Sequence, residues 1–268
     1  MTRSIALITG ASRGLGKHSA QALAAKGVDL IITYRSQAEE AAAVVAQANA
    51  LGVKAHALPL DVADSASFTA FAAEVRQLLQ REWRRDRFDF LVNNAGIGIH
   101  ASFEQTTEQQ FDTLMNIHLK GTFFLTQQLL PLIRDGGRII NLSTGLTRFA
   151  LPGYAAYAAM KGGIEVLTRY LAKELGPEGL VLINISGRQG AGPRGIAVNV
   201  VAPGAIETDF GGGVVRDNQA VNDFIASQTA LGRVGQPDDI GGVIAALLSD
   251  DNHWVNAQRI EASGGMFI

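Results

Sequence analysis

The chain has 268 residues, 47% of them hydrophobic, which is enough for one large core. A formal net charge of -2 gives no electrostatic case for nucleic acid or an anionic membrane surface, so neither is expected as a partner. With no cysteine, disulfides, thiolate metal sites and cysteine nucleophiles are excluded.

The N-terminal Met1-Thr2-Arg3-Ser4 leads into an apolar run too short for a signal sequence, and no stretch reaches the length of a membrane span; a cytoplasmic location is expected. Ile5 to Thr9 is a short apolar run ending at glycine, as in a buried strand. Gly14 to Lys26 has helical spacing and stops at Gly27. The alternation continues with a strand over Val28 to Tyr34, a helix over Ala38 to Leu51, a strand over Val53 to Leu58 and a helix over Ser65 to Gln80. Phe88 to Val92 reads as the fourth strand, Thr107 to Leu132 as one long helix, and Gly137 to Leu142 as the fifth strand. A helix over Tyr154 to Leu175, a strand over Ile196 to Val201, a helix over Pro237 to Leu248 and a short strand near Gln258 to Glu261 complete the chain. Strands alternating with helices predict βαβ units, a parallel sheet covered on both faces, and hence a single-domain α/β fold with a doubly wound, Rossmann-like sheet.

Two segments break this rhythm. Residues 207–230 carry Gly211-Gly212-Gly213 and weak periodicity, which suggests a flap over a site. Residues 182–194 read as an inserted loop, because Gly-Pro-Glu-Gly-Leu at 176–180 is echoed by Gly-Pro-Arg-Gly-Ile at 192–196.

The first chemical motif is Thr9-Gly10-Ala11-Ser12-Arg13-Gly14-Leu15-Gly16, set between the first strand and first helix. Glycines let the backbone turn tightly towards a pyrophosphate, and the helix start offers unpaired N–H groups with a partial positive charge. At the end of the second strand an acidic residue would suit the ribose of NAD, and an arginine the 2′-phosphate of NADP. The chain has Tyr34-Arg35-Ser36 there, with Arg13 as a second cation, so NADPH is expected over NADH. Asp61-Val62 after the third strand is a candidate for the adenine amino group, although Asp is also a common helix cap. Asn93-Asn94-Ala95-Gly96 after the fourth strand has amides to tie strands and small residues to leave room for ribose.

The strongest chemistry is Tyr157-Ala158-Ala159-Met160-Lys161, whose i, i+4 spacing puts phenol and ammonium on one helix face. A free phenol ionises near about 10, and a neighbouring ammonium is expected to lower that value. Ser143-Thr144 end the fifth strand and offer a hydroxyl to hold a substrate oxygen. His18, His100 and His118 lack metal-ligand spacing and read as structural, and no metal site is expected.

Together and in this order these motifs resemble the short-chain dehydrogenase/reductase family, in its 3-oxoacyl-ACP-reductase and glucose-dehydrogenase-like branch. Asn116, Pro203-Gly204, Ile206-Glu207-Thr208, the run Arg233 to Ile240, and Ser263-Gly264-Gly265 extend the match over nearly the whole chain. The resemblance implies about seven parallel strands and assigns roles. Tyr157 exchanges the proton, Lys161 holds the nicotinamide ribose, Asn116 supports a water relay behind the lysine, and Ile206 to Thr208 hold the carboxamide. It also implies a homotetramer or homodimer built partly on the two long helices. The family's serine lies thirteen residues before the tyrosine, which is Thr144 here, so the hydroxyl falls to Thr144 or, with a one-residue shift, to Ser143.

The expected function is an NADPH-dependent oxidoreductase moving hydride between nicotinamide and the carbon of a small-molecule carbonyl or secondary alcohol, with Tyr157 as acid/base. An NAD-linked alcohol or sugar dehydrogenase, and a redox sensor that binds NADPH without turnover, are the competing readings. The set Asn116, Ser143/Thr144, Tyr157 and Lys161 speaks for catalysis. Ile97, Ile99, Leu146, Phe149, Leu151 and Phe210 predict apolar pocket walls, with Arg148 nearby.

Overall fold

The computed structural model describes residues 3–176 and 194–268. The expected inserted loop at 182–194 therefore lies outside the described residues, apart from Arg194. Seven parallel strands form one sheet: β1 (Ile5–Ile8), β2 (Asp29–Tyr34), β3 (Ala55–Pro59), β4 (Phe88–Asn93), β5 (Ile133–Leu142), β6 (Ala197–Pro203) and β7 (Arg259–Ala262). Their order is β3-β2-β1-β4-β5-β6-β7, so the winding reverses between β1 and β4. Ligands of such sheets bind outside the carboxyl ends of the strands at that reversal.

The alternation within β1 explains the two layers. Ala6 and Ile8 face a core closed by α1 (Gly14–Ala25), α2 (Ala38–Ala50) and α9 (Pro237–Leu247). Ile5 and Leu7 face the opposite core, closed by α3 (Phe68–Leu78), α5 (Gly121–Leu129) and α6 (Ala155–Glu174). Both faces of the central strands are buried, which is why β1 is a continuous apolar run and β4 is apolar apart from the buried Asp89 and Asn93.

The expected single helix over 107–132 is interrupted. It begins as α4 (Glu108–Leu114), where Thr107 accepts from the Gln110 N–H and Gln110 returns the bond to the Thr107 N–H. It widens into a π-type turn over Met115–Lys120, resumes as α5, and tightens at Leu130–Leu132, with Pro131 near its start. Wide turns of this kind often occur at functional sites. The next strand starts at Ile133, four residues before the expected Gly137. Between β6 and α9 the chain forms two short helices, α7 (Val214–Asp217) and α8 (Gln219–Ser227), in the segment read from sequence as weakly periodic.

A buried polar chain crosses the sheet beneath its carboxyl edge. The Asn93 amide donates to Thr126 Oγ1 at 2.9 Å and to Asn141 Oδ1 at 2.8 Å, and the Asn141 amide donates to Thr168 Oγ1 at 2.9 Å. It stitches α5, β4, β5 and α6 together, as the amide at the end of the fourth strand led us to expect. Replacing Asn141 with alanine strands two buried partners, so Asn141→Ala is expected to lose about 1–3 kcal/mol of stability in urea unfolding.

Candidate active site

The loops after β1, β4, β5 and β6 converge at the carboxyl edge. The glycine loop between β1 and α1 is stitched to the loop after β4. The Thr9 hydroxyl accepts from the N–H groups of Asn94 and Ala95 at 3.0 Å each, and the Asn94 amide donates to the carbonyls of Thr9 and Gly10 at 2.8 and 3.0 Å. Gly10 has a φ of +63°, and a Cβ there would lie 2.9 Å from Ala95 Cα. A Cβ on Gly16 would lie 2.5 Å from both Asn94 Nδ2 and the Gly10 carbonyl oxygen, so no side chain fits.

At the start of α1 lies a cleft of about 340 Å³, lined by Ser12, Arg13, Gly14, Lys17, Thr208 and Arg216 among others. No side chain caps the helix there. Bare N–H groups and a helix dipole make this cradle fit a phosphate, while its cations Arg13, Lys17 and Arg216 share the lining with the carboxylates Glu40, Glu207 and Asp209. Leu15, Pro203, Gly204 and Ile206 do not line this cleft. Gly204 lies against Ser263, and Ile206 bridges to Gly235.

Three of the expected cofactor residues have other partners or positions in the structure. Arg13 pairs with Asp209 of the 207–230 segment at 3.6 Å, and Arg216 binds the same carboxylate. Arg35 and Ser36 are exposed beyond the half-buried Tyr34 at the tip of β2 and do not line the cleft, whereas Glu40 does. One oxygen of Asp61 accepts from the Ala63 N–H at 2.9 Å, an ordinary turn bond, with Val62 half-buried beside it.

The Tyr157–Lys161 pair sits where α6 passes the end of β5. Tyr157 and Lys161 are both buried, and the Lys161 ammonium donates to the Leu142 carbonyl at 2.8 Å. Burial holds Lys161 down at about 7. Burial pushes the Tyr157 phenol above its ordinary range, a hydrogen bond with the Thr144 hydroxyl pulls the other way, and Tyr154 adds to the rise. Burial thus pushes the phenol up where a neighbouring ammonium was expected to bring it down, and the same burial holds Lys161 down.

Thr144, rather than Ser143, meets the tyrosine. Ser143 turns away and donates to Glu165 at 2.7 Å. Glu165 also accepts from Thr147 Oγ1 at 2.6 Å and Arg259 Nε at 2.8 Å, and Arg259 donates to the Thr144 carbonyl at 3.2 Å. This clamp fixes the backbone that presents the Thr144 hydroxyl. Glu165 lies one turn beyond Lys161 on the same helix face, a spacing that signals it in the sequence. Arg259 carries no such signal.

Asn116 is half-buried and makes no side-chain hydrogen bond among the described residues. His118, two positions on, takes the place beside the tyrosine. Its ring meets the Tyr157 ring edge-on with centroids 5.1 Å apart, and it is buried. Of the expected apolar walls, Ile97, Ile99 and Leu146 pack, with Tyr154, in the cluster that holds Tyr157, and the Phe210 ring lies 5.5 Å from it; Phe149 packs instead against Phe267, with ring centroids 4.8 Å apart, and Leu151 is not part of that cluster. Arg148 is engaged in a paired contact with Glu261 at 2.6 and 2.7 Å, which takes it out of the running as a receptor for a charged substrate.

A glycine cradle at the reversal of a parallel sheet, with a tyrosine, a lysine and a hydroxyl at the end of β5, defines a dinucleotide-dependent oxidoreductase that acts on carbonyl and alcohol groups. The short chain dehydrogenase family pattern matches residues 4–188, and that of enoyl-(acyl carrier protein) reductase matches 189–267. The chain belongs to the short chain dehydrogenase family. It is 35% identical over 270 residues to the 3-oxoacyl-[acyl-carrier-protein] reductase FabG of Staphylococcus aureus, covering 100% of this chain and 99% of that one. Among solved structures it is similar to the promiscuous reductase LugOII, which catalyses keto-reduction at C1 during lugdunomycin biosynthesis (TM-score 0.88, 33% identity, 100% and 99% of the two chains covered). It is equally similar in fold to the angucycline C-6 ketoreductase LanV with bound NADP (TM-score 0.88, 31% identity, 99% and 96% covered).

Two outcomes follow from this geometry. Thr144→Val is expected to lower turnover by about 10²-fold, the cost of one lost donor to a reacting oxygen, while Ser143→Ala retains most of it; steady-state kinetics separates them. Lys161 is held near 7 against an ordinary 10.5, so the unfolded chain binds more protons than the folded one between those values. Its burial therefore costs stability at and below neutral pH, and that cost fades as pH rises from about 7 to 10.5. Lys161→Met is expected to resist urea better than wild type at pH 7, and the gain shrinks towards pH 10 when the unfolding curves are compared.

Proposed function

We propose that the chain is an NADPH-preferring carbonyl reductase for apolar, ring-bearing ketones. The observation that carries this reading is the buried pair Tyr157 and Lys161 on one face of α6 at the end of β5, with Lys161 donating to the Leu142 carbonyl at 2.8 Å and the Thr144 hydroxyl acting on the phenol. When bound, the reduced nicotinamide supplies the hydride. Thr144 and Tyr157 hold the substrate oxygen between two hydroxyls, and Tyr157 gives that oxygen its proton. Lys161 binds the nicotinamide ribose and steadies the phenolate left behind; cofactor charge and the returned lysine charge then oppose the upward push of burial. Asn94, Ala95 and Gly96 leave room for the ribose, Pro203 and Gly204 set the turn, and Ile206 to Thr208 hold the carboxamide. Asp61 and Val62 bound the adenine pocket.

Phosphate preference is assigned to Arg35 and Arg13, with Tyr34 and Ser36 beside them. Arg13 must exchange Asp209 for phosphate, which ties cofactor entry to movement of the 207–230 flap. The triple-glycine run after Phe210 has positive φ at all three positions, which supports a hinge there. Ketoreductase relatives and the apolar walls at Ile97, Ile99, Leu146 and Phe210 favour a ketone without a carboxylate or phosphate. Apolar side chains left open on α4, α5 and α6, among them Phe111, Phe123, Phe124 and Tyr170, support a homo-oligomer, with a tetramer expected. No helix among the described residues is long and apolar enough to cross a membrane.

Parallel fluorescence titrations test the cofactor: NADPH is expected to bind roughly tenfold or more tightly than NADH, and Arg35→Ala and Arg13→Ala to narrow the gap. Tyr157→Phe is expected to lose at least about 10²-fold in turnover of α-tetralone with NADPH binding intact. Normal turnover by Tyr157→Phe sinks the mechanism. NADPH binding with no turnover of any ketone by wild type favours the sensor.

A further inference from the structure

Among the buried groups left unused by this mechanism, His118 stands apart. It lies in the wide turn Met115–Lys120, is 1% exposed, and its Nδ1 is one of two buried side-chain polar atoms without a partner among the described residues. Its other nitrogen is engaged. Nε2 lies 2.8 Å from the Ile97 carbonyl oxygen and 3.3 Å from the Ile97 nitrogen. The Ile97 N–H is directed at Nε2 in the longer contact and the Ile97 carbonyl in the shorter; the shorter one assigns the ring proton to Nε2, donating to that carbonyl at the expense of the 3.3 Å bond, and leaves Nδ1 the acceptor. Burial first, and the Lys161 charge second, hold the ring down at about 3, with the Ile97 bond acting against them. The imidazole is thus neutral at any working pH. The titratable side chains that bear on it are Lys161 and Tyr157, both from α6.

The environment of Nδ1 is that of the reaction site. A Cβ on Gly96 would lie 3.2 Å from it, and Gly96 closes the stretch Asn94 to Gly96 that makes room for ribose. Lys161 spends one donor on Leu142 and has two left. A buried acceptor left bare is destabilising, a cost that a hydroxyl in the loaded site would remove.

We propose that His118 is a positioning residue of the reductase: its neutral ring seats Tyr157 edge-on, and its Nδ1 accepts a hydrogen bond from a hydroxyl held jointly with Lys161. The hydroxyl belongs to a water or to the cofactor ribose, and the chemistry is the same for both. This rests on the carbonyl-reductase reading above, and it moves to a histidine the support role that the family resemblance gave to Asn116.

Nitrogen NMR of the histidine-labelled protein tests it with and without NADP+, and fluorescence titration of the same samples reports cofactor binding independently. The expected result is a neutral His118 whose Nδ1 resonance shows the upfield shift of a hydrogen-bonded acceptor. A shift already present in the free protein identifies water; one that comes only with NADP+ identifies the ribose. An Nδ1 that stays unbonded while NADP+ demonstrably binds overturns the proposal. Failure of NADP+ to bind overturns the cofactor reading instead.

Variants give a second readout. In place of His118, glutamine can keep the donor to Ile97 and lacks the acceptor, whereas asparagine puts an amide oxygen near the Nδ1 position. His118→Gln is expected to lose roughly tenfold or more in kcat on α-tetralone with KM little changed, the rate equivalent of one hydrogen bond, and His118→Asn to recover most of it. The pH at which kcat rises to its plateau is expected to move in the glutamine variant and return in the asparagine variant. Equal kcat and identical pH profiles in wild type and both variants would show a packing role only and overturn the proposal.

Discussion

The site depends on taking an ammonium and a phenol out of water at the end of one strand. Lys161 loses its hydration and regains a single carbonyl, that of Leu142. Tyr157 loses its hydration and regains the Thr144 hydroxyl. Neither exchange is complete, so each group is left nearer its neutral form than it would be in solvent. A site prepared in this way responds strongly to any charge that enters, because the surroundings screen it poorly. The stability lost at Lys161 and the reactivity available at Tyr157 have one cause.

Everything around that pair serves to keep it in place. A parallel sheet brings the carboxyl ends of β1, β4, β5 and β6 to one edge, so four loops of distant sequence meet there. The loops are then joined by side chains with few degrees of freedom. Thr9 and Asn94 bind the glycine loop to the loop after β4, and Arg259 with Glu165 binds the loop after β5. Beneath them, the chain Thr126–Asn93–Asn141–Thr168 ties β4 and β5 to the two helices α5 and α6 that cover one face of the sheet. These polar bridges are buried and mutually satisfied at nearly every atom, which is how they specify one arrangement.

Much of the site was legible because its key spacing is local. Tyr157 and Lys161 lie four residues apart on a helix, and helical geometry alone puts them on one face. The glycine loop was legible for the same reason, since a strand, a tight turn and a helix start are all short-range features. His118 shows where that reasoning stops. The wide turn at Met115–Lys120 departs from regular helical spacing, so residue count alone does not set what faces the tyrosine. The choice between Ser143 and Thr144 failed in a similar way. Both end one strand, and only the packing of α6 decides that Ser143 meets Glu165 while Thr144 meets Tyr157.

By itself the sequence determined the layer architecture, the strand and helix order, the phosphate cradle and the Tyr157–Lys161 pair, because each follows from hydrophobic period or from neighbours within a few residues. Tertiary structure alone decided the partners of those groups. Arg13 faces Asp209, Glu40 reaches the cleft that Arg35 does not, Arg259 clamps Thr144, and His118 stands behind the tyrosine. These contacts join residues up to more than a hundred positions apart. Their geometry depends on how the sheet twists and the helices pack, and no local period encodes that.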